Sequence, residues 1–188
     1  MFHKSKNRAL AALLVSDSLY FASLAMYTPI FALFVQRING GVIAASSAWS
    51  IMTFTTGITI YCIRSFGEKI KEGELLVSLG YLLAAISFWL LIFVQSVAWL
   101  YAVVVVLGIA HGIRAPMFDA TYSKHLDKGQ YVRQWGDWEV LFNVVSGFGA
   151  LLGGLLVANF GFVVIFALMG LFSFVSSVYI YIQPRKLL

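Results

Sequence analysis

The sequence predicts an all-α membrane protein with six transmembrane helices. Of its 188 residues, 61% are hydrophobic and only 11% are charged, whereas a soluble domain carries about 25% charged residues. Six apolar stretches each approach or exceed the roughly 20 residues that a helix needs to cross a bilayer. The basic residues are concentrated in alternate connectors between these stretches. A chain this apolar needs the lipid bilayer as its solvent.

The six spans are the apolar runs between short polar or glycine-bearing connectors. Backbone polar groups find no water in lipid, so each run is expected to be helical. The first run follows a basic segment, as in a signal peptide. It continues to about Val35 and contains Asp17, so it is longer and more polar than a signal and is retained as a helix. All residues 1–188 form one domain, with spans at about 9–35, 42–63, 75–94, 97–122, 135–158 and 161–182.

The distribution of lysine and arginine predicts the direction of the helices. Cytoplasmic connectors carry an excess of these residues. Only Arg37 lies on the predicted outer side, and Arg114 lies within the fourth span. With both termini in the cytoplasm, the inner side holds the remaining basic residues, namely Lys4, Lys6, Arg8, Arg64, Lys69, Lys71, Lys124, Lys128, Arg133, Arg185 and Lys186.

Composition and motifs exclude several other classes of protein. The net charge of +5 comes from connectors beside membrane spans, which indicates topology and no nucleic acid as a partner. The single cysteine, Cys62, allows no intrachain disulfide and no zinc motif. The sequence has no G-x-S-x-G, H-E-x-x-H or P-loop pattern, so we expect neither an enzyme nor ATP-driven work within this chain. No cofactor or metal is expected.

Three stretches resemble one six-helix half of a major facilitator superfamily transporter, and the likeness covers nearly the whole chain. The first is the glycine-bearing segment Leu107–Pro116 of the fourth span. The second is Arg133 followed by Gly149-Ala-Leu-Leu-Gly-Gly154, where alanine stands at the position of the proline in G-P-x-x-G-G. The third is the loop Arg64-Ser-Phe-Gly-Glu-Lys69, a form of D-R-x-G-R-R without its acidic residue.

The resemblance implies a half built from two inverted three-helix repeats. A faint repeat, Ser65-Phe66-Gly67 after the second span and Asn159-Phe160-Gly161 after the fifth, agrees with this. The family usually has two halves with the transport path between them. We therefore expect a parallel homodimer that meets through its cavity face. The alternative is that the chain is one half of a longer transporter.

Asp17 and Arg114 are ionisable residues deep inside the predicted spans, and at the bilayer centre such a side chain costs about 2.5–3.5 kcal/mol to insert. Asp17 in the first span and Arg114 in the fourth both lie about 12 Å from the inner boundary at ~1.5 Å per residue. The resemblance implies that the first and fourth spans line the cavity. We expect the pair to be a proton-coupling site, with a permanent structural ion pair or snorkelling of Arg114 as alternatives.

The solute site is predicted from side chains on the faces of the first, fourth and fifth spans. Glu139 and Asn143 form a stripe with Ser146, and a carboxylate with an amide would suit hydroxyl-rich solutes. Trp135 and Trp138 are either sugar-stacking platforms or parts of an interfacial aromatic belt. The candidate solute-binding residues are Tyr20, Phe21, His111, Arg114, Trp138, Glu139 and Asn143.

Gating and packing residues complete the predicted set. Asp119 could pair with Arg133 or Lys124 as an inner gate, and the resemblance adds Arg64 to the gating group. Small residues at i, i+4 spacing allow close helix contact, which assigns packing to Gly108, Gly112, Gly149, Gly153 and Gly154. The third and sixth spans carry no charge in their cores and are expected to lie outside, against lipid.

These observations predict a secondary active transporter in the plasma or inner cell membrane. It is expected to work as a homodimer by alternating access, with the proton gradient as energy source. The favoured solute is a small polar molecule such as a sugar, taken up with protons. The alternatives are a proton-coupled exporter of lipophilic cations and a membrane subunit that transports nothing.

Overall fold

The computed structural model describes residues 7–65, 67–70 and 72–184. Within these ranges the chain is all-helical, with six helices long and apolar enough to cross a membrane. The predicted fold class is therefore confirmed. Six residues used in the predictions lie outside the described ranges, namely Lys4, Lys6, Phe66, Lys71, Arg185 and Lys186.

Seven α-helices make up the six spans. The first span consists of α1 (Arg8–Tyr27), a 3-10 turn (Thr28–Ile30) and α2 (Phe31–Arg37). The others are α3 (Val42–Arg64), α4 (Gly73–Leu91), α5 (Val97–Lys124), α6 (Tyr131–Phe160) and α7 (Phe162–Tyr181).

Local sequence explains where several helices begin and end. The Asn7 side chain accepts a hydrogen bond from Leu10 N at the start of α1, and Ser96 caps α5 in the same way. Pro29 lacks the N–H that would continue α1, and the chain tightens into the 3-10 turn there. Gly161, at φ 77°, separates α6 from α7 in a backbone conformation that L side chains rarely adopt.

The helices pack in the order α3, α5, α4, α7, α1, α6, each against its neighbours in that row. The row curves so that α1 and α5 face each other across a cleft, where they make few direct backbone approaches. α4 and α7 pack together behind this cleft, and α3 and α6 stand at its two sides. The core fills the space among α1, α4, α5 and α7.

α3 and α6 are the most exposed helices. α3 buries only Ala48 and Ile63, and α6 buries only Gln134, Gly149 and Gly153. α4 and α7, predicted to be the outer helices, bury far more of their residues because each packs on at least two others. Two apolar helices therefore present most of their surface outward, beside the mouth of the cleft.

Candidate functional site: a buried ion pair beneath an aromatic cavity

Asp17 lies at the centre of a buried network that joins four helices. Its side chain is 1% exposed. Oδ1 accepts hydrogen bonds from Arg114 Nη1 of α5 at 2.5 Å and from the Tyr81 hydroxyl of α4 at 2.8 Å. Oδ2 accepts from Trp138 Nε1 of α6 at 2.9 Å. Three donors therefore compensate a carboxylate that burial would otherwise make very costly.

Arg114 is enclosed by aromatic rings. It is 4% exposed, and its guanidinium carbon lies 5.0 Å from the Tyr20 ring centre, 5.1 Å from Phe21 and 5.4 Å from Phe118. Such distances allow cation–π attraction. Arg114 Nε has no hydrogen-bond partner among the described residues. The charge is thus held by one carboxylate and a wall of ring faces.

Gly80 lets α4 approach α5 closely enough to deliver Tyr81. A Cβ atom at Gly80 would lie 2.7 Å from the Arg114 Cβ and 2.9 Å from the Ala110 carbonyl oxygen. Any larger residue would push α4 away from the ion pair. The close approach at Gly80 therefore brings the Tyr81 hydroxyl within hydrogen-bond distance of Asp17, on the side of the ion pair away from the cleft.

A cavity of about 680 Å³ lies in the cleft next to the ion pair. Among the described residues, no acidic, lysine or arginine side chain lines it. The wall is mainly aromatic and aliphatic with a few hydroxyls. It is formed by Tyr20, Phe21, Leu24, Ala25, Thr28, Pro29, Trp49, Met52, Thr53, Thr56, Leu107, His111, Phe142, Ser146 and Ala150.

Tyr20 and Phe21 connect this cavity to the ion pair. Both line the cavity, and both ring faces contact the Arg114 guanidinium. The Tyr20 hydroxyl also lies 3.2 Å from His111 Nδ1, which places the imidazole on the same wall. Only one layer of side chains therefore separates the cavity from Arg114.

Aromatic side chains close the cleft beyond the ion pair, toward the end where α5 leads into α6. Trp138 stacks on Phe142 and meets Trp135 edge-on, and Trp135 packs on Tyr122. The Tyr122 hydroxyl donates to the Gln134 carbonyl oxygen at 2.6 Å. The Gln134 side chain in turn binds the backbone N–H and the carboxylate of Asp127. This end of the cleft is packed and hydrogen-bonded.

The structure brings some predicted solute-binding residues together and leaves others apart. Tyr20, Phe21 and His111 line the cavity. Trp138 lies behind Phe142 and binds Asp17 through its indole N–H, which differs from both an interfacial belt and a wall platform.

Four of the seven predicted solute-binding residues lie outside the cavity lining, namely Arg114, Trp138, Glu139 and Asn143. Glu139 and Asn143 are exposed, and the Asn143 amide donates to the Glu139 carbonyl oxygen at 2.8 Å. The expectation that this stripe faces the cavity is met only by Ser146. The reason is rotational, because each helical residue turns about 100°. Trp138 and Phe142 occupy the face of α6 that packs toward α1. Glu139 and Asn143 follow them in the sequence, so they are rotated away from this face and are exposed.

The predicted gating pairs are absent from the described part of the chain. There, Asp17–Arg114 is the one ion pair. Asp119 and Arg133 are exposed and form no ion pair with each other or with Lys124. The Arg64 guanidinium instead lies 4.1 Å from the ring centre of Tyr61 in its own helix. These charges stand on the surface, where pairing gains little.

Four of the five predicted packing glycines lie in tight contacts. Gly108 and Gly112 of α5 face α3, where an added Cβ would come within 2.6 Å of an atom in each case. Gly149 and Gly153 of α6 face Ala25 and the Met26 backbone of α1. Gly154 has no neighbour within 4 Å of an added Cβ. It makes no packing contact within the described chain, because it is rotated off the α1 face, and its assignment to packing stays a prediction.

Tyr81 is the member of the Asp17 network that sequence reasoning missed, and Trp49 and Phe142 of the cavity wall were missed as well. A search for charged side chains passes over a neutral phenol in an apolar span. The available signal was the Gly80-Tyr81 pair, since a small residue beside a polar aromatic one in a membrane helix indicates close approach to another helix. In the described ranges, no group of three or more His, Cys, Asp or Glu residues could hold a metal ion.

Comparison with known proteins assigns the chain to a family. The family model of the Major Facilitator Superfamily matches residues 13–187. No curated protein matches the chain. Among solved structures, the chain is similar to the in meso crystal structure of the POT family transporter PepTSo, with a TM-score of 0.73 and 14% sequence identity. The alignment covers 93% of this chain and 37% of that one, so what the two share is the fold.

Proposed function

Because the chain belongs to the Major Facilitator Superfamily, we propose that it is a secondary active transporter driven by the proton gradient. The observation that carries the proposal is the Asp17–Arg114 pair, buried one side-chain layer from a cavity of about 680 Å³. An ionisable pair at membrane depth is costly, and in membrane proteins it commonly marks a proton or solute pathway.

The geometry favours Asp17 as the group that carries the proton. A carboxylate can be neutralised by one proton, whereas the arginine stays charged at any physiological pH. Asp17 has donors on both oxygens, so the ionised form is well compensated while these contacts hold. A movement that separates α6 or α5 from α1 removes donors and favours the protonated acid.

The cavity wall favours an amphipathic solute with an apolar or aromatic body, and lipophilic cations fit it best. Four aromatic side chains, Tyr20, Phe21, Trp49 and Phe142, line it and could attract a cation through their faces. The threonine hydroxyls that line it already donate to backbone carbonyls. A sugar would find few free donors there, since Glu139 and Asn143 lie outside the cavity lining.

A complete transport path needs a second six-helix unit. The cavity opens beside α3 and α6, whose faces are the most exposed in the chain. A second copy, related by a two-fold axis along the membrane normal, would cover both helices and close the cavity. The partner that we propose is therefore a second copy of this chain. The resulting homodimer lies in the cell membrane with both termini of each chain in the cytoplasm. The other half of a longer transporter would occupy the same place.

Proteoliposomes with an imposed pH gradient test the proposal. We expect the protein to exchange tetraphenylphosphonium or ethidium for protons and to leave labelled glucose and lactose unmoved. Asp17→Asn should abolish proton-driven movement. Asp137→Asn is the matched control, because Asp137 is an exposed acid on α6 that forms no ion pair among the described residues.

Two outcomes would contradict the proposal. Proton-driven accumulation of a sugar would contradict the proposed solute class, but it would still support a proton-driven transporter. A folded, dimeric protein that moves none of the probes and shows no response to the pH gradient would instead indicate a membrane subunit that transports nothing.

A further inference from the structure

Trp138 occupies a position between the solute cavity and the buried carboxylate. Trp138 and Phe142 are one helical turn apart on α6 and share a face. The edge of the indole donates its N–H to Asp17 Oδ2 at 2.9 Å. Its face stacks on Phe142, with ring centres 5.6 Å apart and planes 7° from parallel. One side chain thus contacts both the ion pair and a residue of the cavity wall.

The wall residues that touch Trp138 form a continuous path from solute to carboxylate. Phe142 and Phe21 line the cavity and meet edge-on with ring centres 4.6 Å apart. Phe21 also lies 6.0 Å from Trp138, and its face contacts Arg114. A solute packed against these two rings presses on Trp138 through direct contact.

The two oxygens of Asp17 are held by different parts of the fold. Oδ1 is bound by α4 and α5, which pack together. Oδ2 accepts one hydrogen bond among the described residues, and it comes from α6. α6 packs on α1 and makes only a smaller contact with α7. Because α6 has no comparable packing on α4 or α5, a rotation of α6 against α1 can release Oδ2 and leave Arg114 and Tyr81 in place.

From this arrangement we infer that Trp138 is a positioning residue that couples occupancy of the cavity to the proton on Asp17. The inference rests on the proposed function. A solute against Phe21 and Phe142 holds the stack together and keeps the indole N–H on Oδ2, so Asp17 is ionised. When the cavity empties and α6 shifts, Oδ2 loses its donor and takes up a proton. Solute binding therefore releases a proton, as exchange of solute for proton requires.

The test measures proton release when tetraphenylphosphonium binds to the purified protein in weakly buffered solution. Trp138→Phe keeps an aromatic ring on Phe142 and removes the N–H. A hydrogen bond to a charged group is worth about tenfold or more in an equilibrium. We therefore expect proton release per bound probe to fall severalfold, and by the same linkage the pH dependence of probe affinity should flatten.

Trp135→Phe is the matched control, because Trp135 packs against Trp138 and forms no hydrogen bond with Asp17 in the described chain. It should release protons as the wild type does. The other titratable and charged groups near Asp17 are unchanged in both variants, namely Arg114, Tyr81, Tyr20, His111, Asp119 and Tyr122.

A second variant keeps the inference testable if Trp138→Phe does not fold. Phe142→Leu leaves the indole N–H and removes the ring through which the cavity reaches it, so proton release per bound probe should again fall. Undiminished release in both variants, beside normal release in the wild type, would overturn the inference alone. A wild-type protein that binds no probe and releases no proton would overturn the proposed function together with it.

Discussion

At the scale of single residues, the Asp17–Arg114 pair is expected to stabilise the fold only as a pair. Removing one partner of a buried ion pair leaves an uncompensated charge and costs about 3–5 kcal/mol. Asp17→Asn should therefore lower the thermal stability of the detergent-solubilised protein markedly. The double variant Asp17→Asn with Arg114→Met removes both charges and should recover most of the loss. A double variant as unstable as the single one would show that the charge is not the cause.

Tyr81 and Tyr27 make a matched pair of buried phenols. The Tyr81 hydroxyl donates to the Asp17 carboxylate, and a hydrogen bond to a charged group contributes about 1.5–3 kcal/mol. The Tyr27 hydroxyl is equally buried and has no partner among the described residues. Tyr81→Phe should destabilise the protein by about that amount, whereas Tyr27→Phe should be neutral or stabilising. Equal effects in thermal unfolding would contradict the assigned hydrogen bond.

The sequence could predict the charged members of the site and not their neutral partners. Asp17 and Arg114 stand out because an ionisable group inside a span needs a reason to be there. Tyr81 and the indole N–H of Trp138 carry no such cost, and only tertiary packing directs them to Asp17. Glu139 has a charge signal as well, but its direction depends on a rotation of α6 that spacing along one helix does not determine.

At the scale of helices, two adjacent glycines of α6 should differ sharply in their tolerance of a methyl group. A Cβ at Gly153 would collide with the Met26 backbone of α1, which cannot move aside as a side chain can. A Cβ at Gly154 meets nothing within 4 Å. Gly153→Ala should cost about 1–3 kcal/mol through overpacking, and Gly154→Ala should not. Thermal unfolding of the two variants in one detergent compares them, and equal losses would place α6 in another rotation.

The positions of the helices could be predicted more closely than their faces. Hydrophobic length and the scarcity of charge give six spans, and the second, for example, was expected at 42–63 and runs Val42–Arg64. The first was expected as one helix over 9–35. The structure instead interrupts this helix at Thr28–Ile30, because Pro29 has no backbone N–H and cannot donate the helical hydrogen bond. The glycine spacing likewise indicated close packing of α6, which Gly149 and Gly153 make on α1, whereas Gly154 does not face α1.

At the scale of the whole molecule, the packing order supports the predicted inverted repeat. If the first three spans correspond in order to the last three, then α1 is equivalent to α5, α3 to α6 and α4 to α7. Under this correspondence the contact of α1 with α6 is equivalent to the contact of α5 with α3. The same correspondence makes the contact of α4 with α5 equivalent to that of α7 with α1 and leaves the contact of α4 with α7 unchanged. Asp17 and Arg114 would then be on equivalent helices of the two repeats, which accounts for their meeting at the centre. The repeat itself stays a prediction.

The orientation of the chain can be read from the two ends of α3. Asn39 and Ser65 are exposed residues in the connectors before and after this helix. In a Cys62→Ser background, Ser65→Cys should react with a membrane-impermeant maleimide only from the cytoplasmic side, and Asn39→Cys only from the outside, following the positive-inside rule. Labelling of right-side-out and inverted vesicles separates the two. The reverse pattern would invert the predicted topology.

The dimer is the prediction on which a closed transport path depends. Thr53 of α3 is exposed and lines the cavity, so a second copy facing this cavity brings the two Thr53 residues toward one another across the axis. In the Cys62→Ser background, Thr53→Cys in membranes should give covalent dimers with bis-maleimides. Val175→Cys, on the exposed face of α7 behind the cleft, should not. Cross-linking through Val175 alone would show that the dimer interface lies on the α7 side, away from the cavity. A monomer with no cross-link at either position would contradict the homodimer and indicate that a different chain closes the cavity.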